Sequence, residues 1–420
     1  MINNHTQLLS RLQSEIQASQ PDTQLAVLFI RLECMAKMDA LMGYDAGDQL
    51  SSQAMRRLRQ ALREKDILGQ LSRDEFWIIL PNIFGDGQVI LAANKIQTVL
   101  EAPFEIDSRQ IFSLPRIGAS LFPEHGNVPE NLLKRSKAAA QEANVRNEAF
   151  MLYDSAFELA NQLQFELANA LRNALAENNL SLWHQPQVDL KTGLIVASEA
   201  LLRWQNLAKG PVSPSHLVSV AENSGLITLL TQWVLNTALR QLATYQTAGL
   251  DITMGINFSA LNLLESELPE YVDQALRTWH VHPSQIMVEI TESAVIRDQT
   301  KSLKTLRALK EIGVKLSLDD FGTGYSSLSH VRLLPLDELK IDLAFVKHML
   351  KVKADEKIVR SIIDLGHNFD LKVVAEGVED KATADSLREM GCDRIQGYLV
   401  SPAIPAEKFR ELATNFHLLG

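Results

Sequence analysis

Acidic and amide side chains follow apolar, strand-like runs at several points in the second half of the chain. Glu199 ends one such run, Asn257 ends another, and Asp319 and Asp320 directly follow a third. Similar positions are held by Glu289, Glu292, Glu376 and Glu379, and by Gln396 on the last run. A single carboxylate at a strand end is usually a helix cap or a surface group. Several carboxylates at one place would repel each other unless cations neutralised them.

The chemistry of this donor set favours divalent cations. The set contains oxygen donors without Cys or His, which suits Mg²⁺ or Mn²⁺ better than structural zinc. Carboxylates shared by two ions about 3.5–4 Å apart would suit phosphodiester hydrolysis. Lys340 lies within another strand-like run, and Arg203, close after Glu199, could hold a phosphate as a charged donor.

A repeating order of strand and helix patterns would bring these side chains together. The strand-like runs are Leu180–Val188, Leu194–Leu202, Ile252–Asn257, Ile286–Ile290, Val314–Leu318, Glu338–Ile341, Lys372–Ala375 and Arg394–Val400. Helical patterns between them include His216–Glu222, Leu229–Tyr245, Leu303–Ile312, Lys357–Phe369 and Ala382–Met390. This alternation predicts an α/β fold with a (β/α)₈ TIM-like barrel, whose chemistry lies at the carboxyl ends of the strands. The first two strands are too close for a helical crossover, so we expect an irregular barrel with one antiparallel strand.

The first half of the chain has a mixed pattern that predicts a smaller α/β domain. Leu25–Leu32, Phe76–Leu80 and Phe112–Leu121 are strand-like, and Ala54–Arg63 is typical of a helix. A stripe of leucines on every fourth residue, from Leu159 to Leu175, predicts a further helix. That helix either packs on its own domain or connects the domains and pairs with another subunit, and the spacing does not decide between these. We expect a smaller domain at 1–154, a connecting helix at 155–178 and the barrel at 179–420.

Composition excludes several classes of protein. With 41 Lys and Arg against 51 Asp and Glu, the net charge of −10 is unsuited to binding long nucleic acid. Only 2 cysteines are present, too few for a disulfide framework. No apolar run reaches the roughly 20 residues of a membrane helix, and the start is no secretory signal. We therefore expect a cytoplasmic protein without a membrane segment in this chain, with an upstream sensor module as an open alternative.

The stretch Glu199-Ala200-Leu201-Leu202-Arg203 is similar to the signature of EAL-domain cyclic di-GMP phosphodiesterases. The resemblance continues in order through Gln185-Pro186, Asn257-Phe258-Ser259, Glu289-Ile290-Thr291-Glu292, Asp319 to Gly324, Lys340-Ile341-Asp342, Glu376-Gly377-Val378-Glu379 and Gln396-Gly397-Tyr398. It covers residues from about 170 to 410. The resemblance implies a barrel that hydrolyses cyclic di-GMP to linear pGpG with two Mg²⁺ or Mn²⁺ ions.

The resemblance also implies a role for each matching residue. The metal ligands would be Glu199, Asn257, Glu289, Asp319, Asp320 and Glu376. Glu199, Lys340 and Glu376 would be catalytic, with Glu376 binding the second metal or orienting the attacking water, and Lys340 holding that water or stabilising developing charge. Gln185, Arg203, Glu379 and Gln396 would contact substrate, and Glu292 would anchor the glycine loop that follows Asp320. Members of this family often form homodimers near that loop.

No position of this set is missing, which favours an active phosphodiesterase. The alternative is a cyclic di-GMP receptor that binds without hydrolysis and signals to a protein partner. A two-way enzyme that also synthesises cyclic di-GMP is a third and weaker hypothesis.

The first half resembles a GGDEF, or diguanylate cyclase, domain that has lost its functional residues. Ser72-Arg73-Asp74-Glu75-Phe76 stands where Gly-Gly-Asp-Glu-Phe belongs. Arg31 replaces a metal-binding Asp, and Asp39 replaces an Asn that reads guanine. A cation cannot serve as a Mg²⁺ ligand. We therefore expect a half that makes no cyclic di-GMP, binds GTP poorly if at all, and has a regulatory role.

Arg63-Glu64-Lys65-Asp66 resembles the inhibitory product-binding motif of the same family. One interpretation is a second cyclic di-GMP site formed by Arg63 and Asp66. The other is an ion pair at a helix end without function. A pattern of four residues arises by chance too often to decide between them.

Overall fold

A computed structural model describes residues 4–19, 23–206, 210–296, 298–322 and 332–418 of the chain. The chain divides into two compact units, Met1–Gln164 and Phe165–Gly420. Within the described residues, no helix has both the length and the hydropathy needed to cross a membrane.

The first unit is a three-layer α/β structure around a five-stranded sheet. Its elements are α1 His5–Ala18, β1 Gln24–Leu32, α2 Met35–Met42, α3 Tyr44–Ala61, β2 Ile67–Gln70, β3 Glu75–Ile83, α4 Asp86–Glu101, β4 Phe104–Ile106, β5 Arg109–Ile111, β6 Pro115–Phe122, α5 Pro129–Val145 and β7 Phe150–Leu152. The sheet order is β2-β3-β1-β6-β7, and β4 and β5 form a separate pair.

The central strand β1 is apolar on both faces because both faces are covered. Ala26, Leu28 and Ile30 pack in one core with α3 and α4. Leu25, Val27 and Phe29 alternate with them and pack in a second core with α1 and α5. The near-continuous apolar sequence of β1 is therefore what a strand between two helical layers requires.

Two predicted elements of the first half end or begin elsewhere. The helix predicted at Ala54–Arg63 ends at Ala61, because the chain turns and the Asp66 carboxylate accepts the Arg63 backbone N–H at 2.8 Å. The strand predicted at Phe112–Leu121 begins only at Pro115. The preceding apolar side chains of Phe112 and Leu114 are exposed, so hydropathy alone was misleading there.

The leucine stripe lies on helix α6, Ser155–Ala176, which crosses the division between the units. Leu167 and Leu171 are buried in the core of the second unit. Leu159 and Leu163 remain 60% and 44% exposed. The domain limits 1–154, 155–178 and 179–420 stay a prediction.

The second unit is a closed barrel with additional short strands. Its further elements are β8 Ser181–Asp189, β9 Ile195–Asn206, β10 Gly210–Val212, α7 Pro214–Asn223, α8 Ile227–Thr247, β11 Thr253–Asn257, α9 Leu268–Trp279, β12 Ile286–Thr291, α10 Glu292–Ile296, α11 Gln299–Ile312, β13 Lys315–Phe321, β14 Glu338–Ile341, α12 Leu343–Val346, α13 Lys353–Asn368, β15 Lys372–Ala375, α14 Lys381–Glu389, β16 Arg394–Gln396, β17 Ile404–Pro405 and α15 Ala406–Asn415, with short 3₁₀ turns at Asn262–Leu264 and Pro283–Gln285. Strands β8, β9 and β11 to β16 close the barrel. Strand β8 runs antiparallel to both of its barrel neighbours, and the other barrel pairs are parallel. The predicted irregular barrel with one antiparallel strand is therefore confirmed.

The last predicted barrel strand, Arg394–Val400, was too long. Strand β16 ends at Gln396, and the chain then turns. A Cβ atom on Gly397 would lie 2.2 Å from the backbone oxygen of Val378, so the turn depends on close packing of two backbones. This approach holds Gln396 at the end of β16.

Candidate functional site

Lys340 on β14 lies at the centre of a buried cluster of carboxylates. Its side chain is 0% exposed. Its Nζ lies 2.7 Å from Glu376 Oε1, 2.9 Å from Glu289 Oε2, 3.2 Å from Asp319 Oδ1 and 3.5 Å from Glu199 Oε2. Burial alone would lower the pKa of Lys340, but the four carboxylates raise it well above its ordinary value. Lys340 is therefore an ammonium ion that links β14 to β9, β12, β13 and the segment after β15.

Strand register brings these side chains to one rim. Asn257 of β11 is aligned with Glu289 of β12, and Thr291 of β12 with Asp319 of β13. On the antiparallel strand, Gln185 is aligned with Glu199. Asn257, Glu289 and Asp319 lie at or near the carboxyl ends of β11, β12 and β13, so they meet at this rim. Glu199 was predicted at a strand end but lies within β9, which continues to Asn206.

Glu199 is held by amide donors as well as by Lys340. Asn257 Nδ2 donates to Glu199 Oε1 at 2.7 Å, and Gln396 Nε2 donates to Glu199 Oε2 at 2.6 Å. Burial would raise the pKa of Glu199, but Lys340 and these two donors bring it below its ordinary value. Glu199 is therefore an ionised carboxylate in a fixed orientation.

A chain of amides extends from this carboxylate along β8. Gln396 Nε2 also lies 3.2 Å from Gln185 Oε1, and Gln187 Nε2 donates to Gln396 Oε1 at 2.9 Å. Gln187 is buried and was not predicted from sequence. Its contact fixes which end of the Gln396 amide donates to Glu199.

Glu289 carries a buried oxygen that lacks a hydrogen-bond partner among the described residues. This atom is Oε1, while Oε2 contacts Lys340. A Cβ atom on Gly255 would lie 1.9 Å from Oε1, so the absence of a side chain at Gly255 makes space for it. Burial raises the pKa of Glu289 well above its ordinary value, despite Lys340. An unsatisfied buried oxygen needs an explanation, and a bound cation supplies one here.

The carboxylates form two groups that share Asp319. Oxygens of Glu199, Glu289 and Asp319 lie within 4.8 Å of one another, and so do those of Asp319, Asp320 and Glu376. Burial, with the nearby charge of Asp319, raises the pKa of Asp320 to about 6; burial also raises that of Glu376 to about 7 although Lys340 opposes it. One ammonium leaves this cluster with excess negative charge. The residues therefore fit two divalent, oxygen-liganded cations.

A cavity of about 420 Å³ opens over this cluster. The predicted residues that line it are Gln185, Glu199, Asp319, Glu376, Glu379 and Gln396. Leu343, Lys347 and Tyr398 also line it and were not among the predicted site residues. Lys347 could not be predicted from sequence, because the place of its side chain depends on how the short helix that it caps packs on the barrel.

Two predicted site residues, Arg203 and Glu292, are not among the residues that line the cavity. The Arg203 guanidinium donates to the backbone oxygen of Leu202 at 2.9 Å and lies 5.7 Å from the centroid of the Trp183 ring. Burial lowers the pKa of Arg203, whereas the nearby charges of Glu199 and Tyr398 raise it. Glu292 is the first residue of α10. Residues 323–331, most of the loop that Glu292 would anchor, lie outside the described residues, so that role stays a prediction.

In the first unit, the residues that depart from the GGDEF pattern form ion pairs with other side chains of the same unit. Both Nη atoms of Arg73 donate to Asp39 at 3.1 Å, and its Nε lies 2.6 Å from Asp48 Oδ1. Arg73 Nη2 also donates to the backbone oxygen of Tyr44 at 2.6 Å. Arg31 lies 3.7 Å from Asp74 Oδ2. Arg31, Arg73 and Asp39 are therefore held in intramolecular ion pairs.

Arg63 and Asp66 lie in the turn between α3 and β2. The Asp66 carboxylate is buried and bonds the Arg63 backbone. Both residues line a cavity of about 300 Å³ together with Gln88 and Lys95. Binding of a ligand there stays a prediction.

Comparisons with known proteins agree with this architecture. The EAL domain family matches residues 168–403, and the family described as diguanylate cyclase, GGDEF domain, matches residues 1–149. Two relatives from Pseudomonas aeruginosa are each 34% identical. The bifunctional diguanylate cyclase/cyclic di-GMP phosphodiesterase MucR aligns over 96% of this chain and 59% of its own length. The cyclic di-GMP phosphodiesterase NbdA aligns over 92% of this chain and 50% of its own length. The chain thus spans only half to three fifths of these relatives.

A solved structure supports the assignment of the barrel. It is described as the PaMucR phosphodiesterase in complex with c-di-GMP, and it is 40% identical to this chain with a TM-score of 0.55. The alignment covers 58% of this chain and 99% of that one. The chain therefore belongs to the EAL domain family, as a tandem protein in which a GGDEF domain precedes the EAL barrel.

Proposed function

We propose that the barrel hydrolyses cyclic di-GMP to linear pGpG with two bound Mg²⁺ or Mn²⁺ ions. The observation that carries this proposal is the presence of two clusters of three carboxylates each, which share Asp319 and lie around Lys340. The activities for which the relatives MucR and NbdA are named support the choice of substrate. The solved complex of the MucR barrel with c-di-GMP supports the same choice.

Six residues would hold the ions: Glu199, Asn257, Glu289, Asp319, Asp320 and Glu376. Such ions, when bound, activate water and neutralise charge on the phosphodiester. The Lys340 ammonium keeps the carboxylates in place, and from its buried position it would stabilise developing negative charge without contacting the substrate directly. Glu376 lines the cavity, where its carboxylate can accept a hydrogen bond from the attacking water and orient it.

The remaining predicted residues would bind the nucleotide. Gln185 and Gln396 present amides to the cavity, and Glu379 presents a carboxylate that can accept hydrogen bonds from guanine donors. Arg203 stands beside Glu199 and would pair with a phosphate. Glu292 would anchor the glycine loop.

The test is turnover by the purified chain. Incubation with cyclic di-GMP and Mg²⁺ or Mn²⁺ should give pGpG, measured by chromatography. Glu199→Ala should remove nearly all turnover because it removes both a ligand and the acceptor of two amide donors. Glu411→Ala, an exposed carboxylate on α15, is the matched control and should keep the wild-type rate. Absence of pGpG, with an active reference enzyme alongside, would contradict the proposal. Tight binding without turnover would favour the receptor instead.

We further propose that the first unit regulates the barrel and synthesises no cyclic di-GMP. The ion pairs of Arg73 with Asp39 and Asp48 support this, because they satisfy groups that a nucleotide would otherwise contact. Incubation with GTP and Mg²⁺ should yield no cyclic di-GMP, and any such product would overturn the assignment. A homodimer, an upstream sensor module and a cytoplasmic location remain predictions.

A further inference from the structure

The cavity above the carboxylate cluster is acidic, yet its proposed substrate carries two phosphates. Glu199, Asp319, Glu376 and Glu379 all line it. Lys340 is fully buried and contacts four carboxylates, so its ammonium cannot move outward to meet the substrate. Lys347 is an exposed cation that lines the same cavity.

Lys347 is the C-cap of helix α12, and its backbone N–H donates to the backbone oxygen of Leu343 at 2.9 Å. Val346 is 0% exposed and anchors the helix. A Cβ atom on Gly322 would lie 2.8 Å from Phe345 Cε2, and one on Gly377 would lie 2.6 Å from Leu343 Cβ. Both glycines have positive φ, so the chain passes close to α12 at two places where other residues would be strained. The position of Lys347 is therefore fixed at its backbone while its long side chain stays free to turn.

Lys347 lines the cavity without an ion-pair partner among the described residues. Leu343 begins α12 and Lys347 caps its C-terminal end four residues later, and both residues line the cavity. Across the residues whose placement is known, no carboxylate forms an ion pair with the Lys347 ammonium. A lysine in an acidic cavity without a partner is available for an anionic ligand.

We propose that Lys347 binds a phosphate of the cyclic dinucleotide and so positions the substrate over the carboxylate cluster. This inference rests on the proposed function. Lys347 is a substrate-positioning residue, and it takes no part in the chemical step. Its contact exists in the bound substrate and in the transition state alike, so its loss should raise KM and leave kcat unchanged.

Steady-state kinetics of Lys347→Ala and Lys347→Arg test the inference. We expect Lys347→Ala to raise KM for cyclic di-GMP about tenfold, with kcat within about twofold of wild type. Lys347→Arg should restore most of the loss because it keeps the charge. KM of wild type should rise more steeply with salt than KM of Lys347→Ala, since one phosphate contact is missing in the variant. A purely structural role would not produce rescue by arginine together with this change in salt dependence.

Lys357→Ala is the matched control, because Lys357 is an exposed lysine on α13 that does not line the cavity. Equal melting temperatures of the variants and wild type would exclude misfolding. An unchanged KM in Lys347→Ala, or a fall in kcat alone, would overturn the inference. If the wild type gave no turnover, the proposed function would fail separately. The dissociation constant of cyclic di-GMP in Ca²⁺ would then decide the role of Lys347, with a tenfold weakening in support and equal binding against it.

Discussion

At the scale of single residues, the site depends on charges that balance one another within a buried space. The ammonium of Lys340 offsets part of the repulsion among the four carboxylates that surround it. The cluster still has excess negative charge, and Glu289 Oε1 has no hydrogen-bond partner among the described residues. Lys340 therefore maintains an arrangement that is incomplete without further positive charge.

Gly255→Ala should abolish most activity because the new methyl group would meet Glu289 Oε1 at 1.9 Å. Displacement of a carboxylate by about 1 Å costs on the order of a hundredfold in rate, and affinity for Mg²⁺ should fall as well. Turnover and calorimetric Mg²⁺ titration would measure both effects.

Gly87→Ala is the control for this substitution, since a Cβ atom on Gly87 would meet nothing within 4 Å. It should leave both activity and Mg²⁺ affinity unchanged. Wild-type turnover by Gly255→Ala would show that Glu289 tolerates displacement and would remove it from the ligand set.

The residues that could be predicted from sequence are those whose position follows from a strand end. Asn257, Glu289 and Asp319 are of this kind, because each lies at or near the end of its strand. Glu199 joins them from the middle of β9, which continues to Asn206 beyond the run predicted to end near Glu199. Gly255 and Gln187 could not be predicted, because their importance depends on register between neighbouring strands. Gly255 is aligned with Glu199 and Gln187 with Gln396, and neither pairing can be read along one chain segment.

At the scale of elements, connection length was more informative than hydropathy. The short link between β8 and β9 correctly predicted an antiparallel pair. Apolar runs gave the presence of each barrel strand, but they extended β16 to Val400 because Leu399 and Val400 are also apolar. Those side chains pack against the barrel core from a turn, so their burial has no relation to strand pairing.

The buried histidine of β8 should make the stability of the barrel depend on pH. His184 Nε2 lies 2.9 Å from Gln241 Oε1 on α8, and burial lowers the pKa of His184 from 6.5 to about 4. The folded barrel thus keeps His184 neutral, while the unfolded chain takes up a proton below pH 6.5. The unfolding free energy therefore has its full value, as far as His184 is concerned, above about pH 6.5. It decreases as the pH falls from 6.5 toward 4, because only the unfolded chain binds the proton there.

His184→Phe should remove that part of the pH dependence. Between pH 7.5 and pH 5, wild type should lose about 2 kcal/mol more unfolding free energy than the variant. Urea unfolding at both pH values would measure the difference. His216→Phe replaces an exposed histidine and should behave as wild type. If the unfolding free energies of His184→Phe and wild type changed equally with pH, His184 would not be the source of this pH dependence.

At the scale of the whole molecule, the two units have separate hydrophobic cores. The cores of the first unit lie within residues 8–152, and the barrel core lies within 167–418. Separate cores support separate cooperative unfolding, although one helix continues from one unit to the other.

Calorimetry of the full chain should therefore show two unfolding transitions. Mg²⁺ should raise the temperature of one transition only, because the carboxylate groups belong to the barrel. Na⁺ at equal ionic strength is the control. A single transition, or an equal shift of both transitions by Mg²⁺, would show that the units unfold together.

The reversed direction of β8 means that the chain enters the barrel at the reactive face. In a barrel of parallel strands, the chain enters at the face opposite the chemistry. Here Ser181, at the start of β8, is aligned with Arg203, and Gln185 is aligned with Glu199. A twist or pull on α6 would therefore reach the reactive face after a few residues of one strand, without having to cross the barrel.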